Sequence, residues 1–168
     1  MNRSVFSLIL QAVVLYFIQI LIFNEIEIGS YIKFYPYFAF VLIYPLRKNR
    51  LNLLTISFIF GLLIDFSQGT GGINAMSLCT VAFLRLPILK FILGSSDIDY
   101  PNFNLRQIPL DKALIYIFIL CIIFHLSLYG LSYFSSTFLR QILLHGVLSS
   151  IATFVLTVLG VFTLTKPR

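Results

Sequence analysis

The sequence predicts an all-α membrane protein: a single domain over residues 1–168, built of six transmembrane helices with both termini in the cytoplasm. Three observations support this. Of 168 residues, 59% are apolar and only 11% are charged. The mean hydropathy of +0.97 is far above that of soluble domains. The apolar residues form long runs, and the basic residues gather at alternate ends of those runs.

Six apolar segments are candidates for crossing the bilayer, which takes about 20 residues at about 1.5 Å each. They are residues 4–23, 31–46, 51–66, 72–93, 113–134 and 142–165. The first is longer than the apolar part of a secretory signal, which spans about 7–15 residues. No small-residue cleavage site follows it, so we expect it to remain as a helix.

The second and third segments are short, so a re-entrant pair that does not cross is an alternative. The basic turn RKNR, residues 47–50, argues against it. Inside the bilayer, Arg47, Lys48 and Arg50 would each cost about 2.5–3.5 kcal/mol. No neighbouring acid would neutralise them. We therefore expect the turn to reach water and both segments to cross.

The distribution of basic residues predicts the orientation. With a cytoplasmic amino terminus, ten basic residues lie inside and only Lys33 and Arg140 lie outside, as the positive-inside rule requires. The glycine loop SQGTGG, residues 67–72, then faces outward, and the longest connection, residues 94–112, faces the cytoplasm. The net charge of +6 reflects topology and contact with the lipid bilayer. No separate basic patch exists, so nucleic acid binding is not expected.

Asp65 is a carboxylate near the end of the third apolar segment. Counting from Leu51 places it about 21 Å into the helix, where a charge is costly unless it is paired or protonated. One interpretation makes it the clasp of a helical hairpin, because glycines such as Gly69 and Gly72 let the following loop aim N–H groups at it. Gly61, on the same helical face, would let a neighbouring helix approach closely.

Another interpretation pairs Asp65 with His145, at a similar depth on the sixth segment, as a pH-sensitive lock or a proton site. His125 is expected to be a hydrogen-bonded core residue. No carboxylate has metal-ligand spacing from it, so neither a metal nor a cofactor is predicted. Three further polar residues are expected to bridge helices or to line a ligand cavity: Gln11, Gln19 and Asn74.

Small residues recur at steps of three and four on two segments, which places them along one face of each helix. On the sixth they are Gly146, Ser149, Thr153, Thr157 and Gly160; on the fourth they are Gly72, Ala75, Cys79 and Ala82. Such faces either pack within the bundle or dock another protein's helix or a second copy. No catalytic signature accompanies them, which favours a scaffold over an enzyme.

Residues 34–89 resemble the rod shape-determining protein MreD family. The shared element is G-x3-D-x4-T-x-G-x2-A, which starts at Gly61 and includes Asp65. The other similar features are Pro36 with Tyr37, the helix-ending Pro45, and Arg85 near the inner end of the fourth segment. Asn74 stands where the family pattern has His. Total length and six spans are also similar to that family.

The resemblance implies a fold like the substrate-binding component of energy-coupling-factor transporters. It also implies a non-enzymatic inner-membrane component of the cell-elongation machinery. Such a protein binds MreC, a bitopic partner, and the expected assemblies are a homodimer or a 2:2 complex. Through MreC it influences the RodA glycosyltransferase and a penicillin-binding transpeptidase, above MreB filaments. The alternative is the substrate-binding subunit of a vitamin transporter.

Overall fold

A computed structural model describes residues 5–28, 32–46, 51–94, 105, 108–133 and 139–164. Within them lie helices α1 (Val5–Ile18, extended by a π turn over Gln19–Phe23), α2 (Ala39–Ile43), α3 (Leu51–Gln68), α4 (Ile73–Leu93), α5 (Leu110–Tyr133) and α6 (Leu139–Leu164). Five stretches are long and apolar enough to span a membrane: α1 with its π turn, α3, α4, α5 and α6. The predicted all-α, multi-pass membrane protein is confirmed at this level.

The second predicted segment, residues 31–46, differs from a regular membrane helix. Strands β1 (Glu27–Ile28) and β2 (Ile32–Lys33) form a small antiparallel hairpin, with an ion pair between Lys33 and Glu27. A 3-10 turn, Pro36–Phe38, then leads into α2. The helical part is about 13 Å long, too short to cross a bilayer alone. Six crossings therefore stay a prediction, and the basic turn at residues 47–50 lies outside the described residues.

Two prolines limit this helix. Pro36 is the first residue of the 3-10 turn. An N–H at this position would form no hydrogen bond within the helix, so proline, which lacks it, is tolerated there. Pro45 forces Tyr44 out of the helical region, to φ −58° and ψ 134°. The local sequence thus permits little more than two turns of helix.

Residues 35–46, which we term the core segment, lie at the centre of the bundle. Every side chain except the two prolines is buried. The Phe124 ring on α5 packs on the rings of Tyr37 and Phe38, with centroids 5.7 and 5.2 Å apart. Phe60 on α3 packs on Phe40 at 4.8 Å. Irregular backbone is tolerated at membrane depth only when protein encloses it in this way.

The helices surround the core segment in chain order. Helix α3 packs on α4, α4 on α5 and α5 on α6, while α1 lies against the core segment itself. Gly61 allows the closest approach in the α3–α4 pair, because a Cβ placed there would lie 2.3 Å from the Ala75 Cα. Gly72, with φ +97°, starts α4 in a conformation that other residues rarely adopt. The hairpin predicted around Gly61 and the glycine loop is therefore present.

Replacing Gly61 by Ala is expected to push α3 away from α4 and to lower the free energy of unfolding by about 1–3 kcal/mol. Gly130→Ala in α5 is the matched control, because nothing lies within 4 Å of the added Cβ. That change is expected to be neutral or stabilising by up to about 1 kcal/mol. Unfolding in mixed detergent micelles measures both. Equal stability of the two variants would contradict the close crossing.

Candidate functional site

Asp65 lies in the last turn of α3 and is only 4% exposed. Its Oδ1 accepts hydrogen bonds from the Thr70 hydroxyl, from the Asn74 backbone N–H at 2.9 Å and from the Asn74 side-chain amide at 3.0 Å. Its Oδ2 accepts from the Ala75 N–H at 2.8 Å. Three neighbouring residues thus donate four hydrogen bonds, and both carboxylate oxygens act as acceptors.

These bonds cap α4 from a different helix. The N-cap residue of α4 is Gly72, which has no side chain to accept the free N–H groups of the first turn. Asp65 supplies the missing acceptor to Asn74 and Ala75. Its negative charge also lies at the positive end of the α4 dipole, which stabilises the charge. Asp65 is thus positioned as the clasp of the α3–α4 hairpin.

Asn74 connects the clasp to the core segment. Its Oδ1 accepts a hydrogen bond from the Tyr37 hydroxyl. Its amide nitrogen lies 3.0 Å from Asp65 Oδ1, 2.8 Å from Thr70 Oγ1 and 3.3 Å from Gln68 Oε1, so its two hydrogens are shared among three acceptors. The Tyr37 bond fixes which side of the amide faces the carboxylate. Tyr37 was not predicted as part of this site.

Arg85 holds the other end of the core segment. The guanidinium is buried, and it donates to the carbonyl oxygens of Val41 and, at 2.8 Å, Tyr44. These carbonyls belong to the C-terminal turn of α2, where a positive charge is favoured by the helix dipole. Arg85 forms no ion pair within the described part of the chain. Eleven residues, about 16 Å along α4, separate it from Asn74.

His125 links α5, α6 and the core segment. Its Nδ1 lies 2.8 Å from the Cys121 carbonyl oxygen, which can only accept, so Nδ1 carries a hydrogen. In the neutral ring, Nε2 then accepts from the Thr153 hydroxyl at 3.1 Å. Thr153 Oγ1 in turn accepts from the Tyr35 N–H at 3.2 Å. Both ring nitrogens therefore have partners inside the bundle, as expected of a core histidine.

The small-residue face of α6 packs inside this chain. Ser149, Thr153 and Thr157 are buried. Ser149 Oγ accepts from the Lys33 N–H at 3.1 Å, and a Cβ at Gly146 would lie 3.4 Å from a methyl of Leu126. This burial favours packing within the bundle over the docking of another protein's helix or a second copy, which stays a prediction. The α4 face behaves in the same way, since Ala75 and Ala82 are buried.

His145 does not reach Asp65. Its ring packs against the rings of Tyr129 and Tyr133 on α5, with centroids 5.8 and 6.1 Å away. The donors on Asp65 all come from residues 70–75. The proposed Asp65–His145 pair is thus absent, because equal depth in the bilayer does not make two helices neighbours.

The two glutamines of α1 and its π turn do not bridge helices through their oxygens. Among the described residues, Gln11 Oε1 and Gln19 Oε1 have no hydrogen-bond partner. No group of three His, Cys, Asp or Glu side chains comes together within the described ranges either. The polar arrangement around Asp65, Arg85 and His125 consists of internal attachments.

Comparison with protein-family models, with curated proteins and with solved structures finds no match to this chain. The resemblance of residues 34–89 to the MreD family therefore stays a prediction from the motif residues alone.

The clasp predicts a graded response at Asp65. Asp65→Leu leaves two buried N–H groups without an acceptor and is expected to cost roughly 2–6 kcal/mol of unfolding free energy. Asp65→Asn keeps one acceptor oxygen, but its side-chain NH2 group faces an N–H donor of α4. This change is expected to lower the free energy of unfolding by roughly 1–3 kcal/mol. Detergent-micelle unfolding measures both changes.

Asp111→Asn provides the control for charge alone. Asp111 is the acid in the first turn of α5 and is exposed. Its loss is expected to be close to neutral. The clasp is contradicted if Asp65→Leu is as stable as this control, or if Asp65→Asn is less stable than Asp65→Leu.

The two hydrogen bonds of Thr153 predict that its hydroxyl contributes more to stability than its side-chain shape does. Thr153→Val keeps the side-chain volume but leaves the Tyr35 N–H and His125 Nε2 without partners, at about 1–3 kcal/mol. Thr153→Ser keeps the hydroxyl and is expected to retain most of the stability. Comparing the two melting temperatures tests this, and a Val variant more stable than the Ser variant would count against the described bonds.

Proposed function

We propose that this chain is a non-enzymatic scaffold of the bacterial inner membrane. It acts in the cell-elongation machinery and binds an MreC-like bitopic protein. Six crossings place both termini in the cytoplasm. Through that partner the chain influences a RodA-type glycosyltransferase and a penicillin-binding transpeptidase, above MreB filaments.

The observation that carries this proposal is the hydrogen bonding of three buried polar side chains in the described part of the bundle. Asp65 accepts from the start of α4, both ring nitrogens of His125 have partners, and Arg85 donates to the core segment from its two terminal nitrogens, while its Nε has no partner among the described residues. A side chain whose donors and acceptors are already bound within the fold is poorly placed to activate a substrate. A rigid body that presents its outer surface to other membrane proteins fits this arrangement better than a catalyst does.

The filled centre weighs against the alternative, a vitamin-binding transporter subunit. Such a site needs a closed pocket lined by a few convergent polar groups. Here the core segment fills the space between the helices with rings from Tyr35, Tyr37, Phe38 and Phe40. The aromatic residues that would line a pocket pack against one another instead.

The orientation is supported by the described basic residues. Lys90 lies in the last turn of α4 and Lys112 in the first turn of α5, at the same end of the bundle. Arg140 lies in the first turn of α6, at the other end, and Lys33 lies in β2, before the core segment. In the topology predicted from the sequence, the remaining basic residues belong to the α4–α5 connection side, which the positive-inside rule assigns to the cytoplasm.

The clasp region offers a surface for the partner. Phe66 follows Asp65 directly and is 92% exposed, and Met76 on the first turns of α4 is also exposed. Both lie at the outward end of the α3–α4 hairpin, beside the loop at residues 67–72. Because the small-residue faces are buried, we place the MreC-like contact here.

Co-purification with the MreC-like partner encoded in the same genome tests the proposal. Phe66→Ala is expected to reduce the amount of partner recovered several-fold, since truncation of a contacting aromatic typically costs more than 1 kcal/mol. Phe91→Ala is the matched control, because Phe91 is 88% exposed at the opposite end of α4. It is expected to leave recovery unchanged.

Two results would oppose the proposal. If the unmodified chain recovers no MreC-like protein, the scaffold function is wrong. If it recovers the partner but Phe66→Ala and Phe91→Ala behave alike, the function stands and the position of the contact is wrong.

A further inference from the structure

The lipid-facing surface of the bundle has different heights on its two sides. On α3, the stretch without exposed charged or amide side chains runs from residue 53 to 67, between the exposed Asn52 and the half-buried Gln68; Asp65 within it is buried in the bundle. At 1.5 Å per residue this is about 21 Å. On α6, the corresponding stretch begins after the exposed Gln141 and reaches at least Val161, about 29 Å.

The neighbouring helices follow the same division. On α4 the stretch runs from Ile73 to the residue before Lys90, about 24 Å, and the polar Asn74 and Arg85 within it are buried in the bundle. On α5 it runs from Ala113 to Tyr133, about 30 Å. The α3–α4 side is thus shorter than the hydrocarbon core of a typical bilayer, about 30 Å, while the α5–α6 side matches it.

The short side cannot adjust its own length. Tilting reduces the span of a helix, so it relieves an excess of apolar length and not a shortage. Asp65 and the Gly61–Ala75 contact fix α3 against α4, so the two helices do not slide apart. In the sequence, Arg50 directly precedes α3. Extending the hydrocarbon region past that end would enclose a charged side chain, which is energetically unfavourable.

We propose that the α3–α4 side is a binding surface for a locally thinned bilayer. Short or compressed acyl chains contact the exposed side chains of α3, such as Phe58, Ile59 and Leu62. The α5–α6 side accepts chains of ordinary length. The chain therefore creates a gradient of bilayer thickness around itself, and this gradient does not require a protein partner.

The natural absence of Trp makes a direct test possible. Phe58→Trp places a single fluorophore at the middle of the α3 surface, and Ile151→Trp places one at the middle of α6; both positions are exposed. Each full-length variant is reconstituted in dimyristoleoyl, dioleoyl or dierucoyl phosphatidylcholine, mixed with its dibrominated form. Quenching by the brominated chains gives the relative affinity of each surface for each chain length.

The Phe58→Trp reporter is expected to favour the dimyristoleoyl over the dierucoyl lipid by a factor on the order of two, and Ile151→Trp is expected to show the opposite order. Adding Asn52→Leu extends the α3 stretch to Leu51, by about 3 Å, and should shift only the α3 reporter toward longer chains. Ile59→Trp and Val155→Trp, also exposed, repeat the comparison if either first reporter destabilises the fold.

The proposal is overturned if both reporters prefer the same chain length. It is equally overturned if the α3 reporters are not quenched by any brominated lipid, because protein rather than lipid would then cover that surface. A shift of both reporters on adding Asn52→Leu would also refute it, since the effect would not be local.

Discussion

The capping of α4 by the Asp65 carboxylate is the interaction on which the rest of the structure depends. Backbone N–H groups at a helix start have no internal acceptor, and hydrocarbon offers them no water. Gly72 has no side chain that could accept from these N–H groups, but it permits the left-handed turn that brings α4 back along α3. The acceptor therefore comes from α3. Once it is in place, Gly61 contacts Ala75 and Asn74 is directed at Tyr37.

Helix α4 organises the bundle because it holds the core segment at both ends. At one end an amide accepts from Tyr37, and at the other a guanidinium donates to the carbonyls of Val41 and Tyr44. The buried charges of Asp65 and Arg85 are each stabilised by the end of a helix rather than by a charge of opposite sign. An eight-residue helical element, marginal on its own, is thereby kept at the centre of a membrane protein.

Sequence reasoning predicted what depends on local chemistry. The clasp followed from a carboxylate ahead of a glycine loop, and the close crossing followed from Gly61 on the same face. Sequence reasoning could not predict which helix faces pack against each other. Spacing placed Ser149 and Thr153 on one stripe but did not distinguish this chain's core segment from another protein's helix. Hydropathy likewise records only exclusion from water, so it gave residues 31–46 the same status as the lipid-facing helices, although the core segment within them is enclosed by protein.

That enclosure determines where interactions with other molecules can form. Backbone groups near the two ends of the core segment are bound to α6 and α4, and its side chains fill the centre, so the fold itself occupies most of the interior. Recognition must then use the perimeter, where the exposed apolar side chains of every long helix meet lipid or protein. The apolar surface is shorter on the α3–α4 side than on the α5–α6 side, so the two sides differ as binding surfaces for lipid and protein. A partner helix that shields the short side also removes mismatched lipid contacts, so bilayer thickness and partner binding are coupled through α3 and α4.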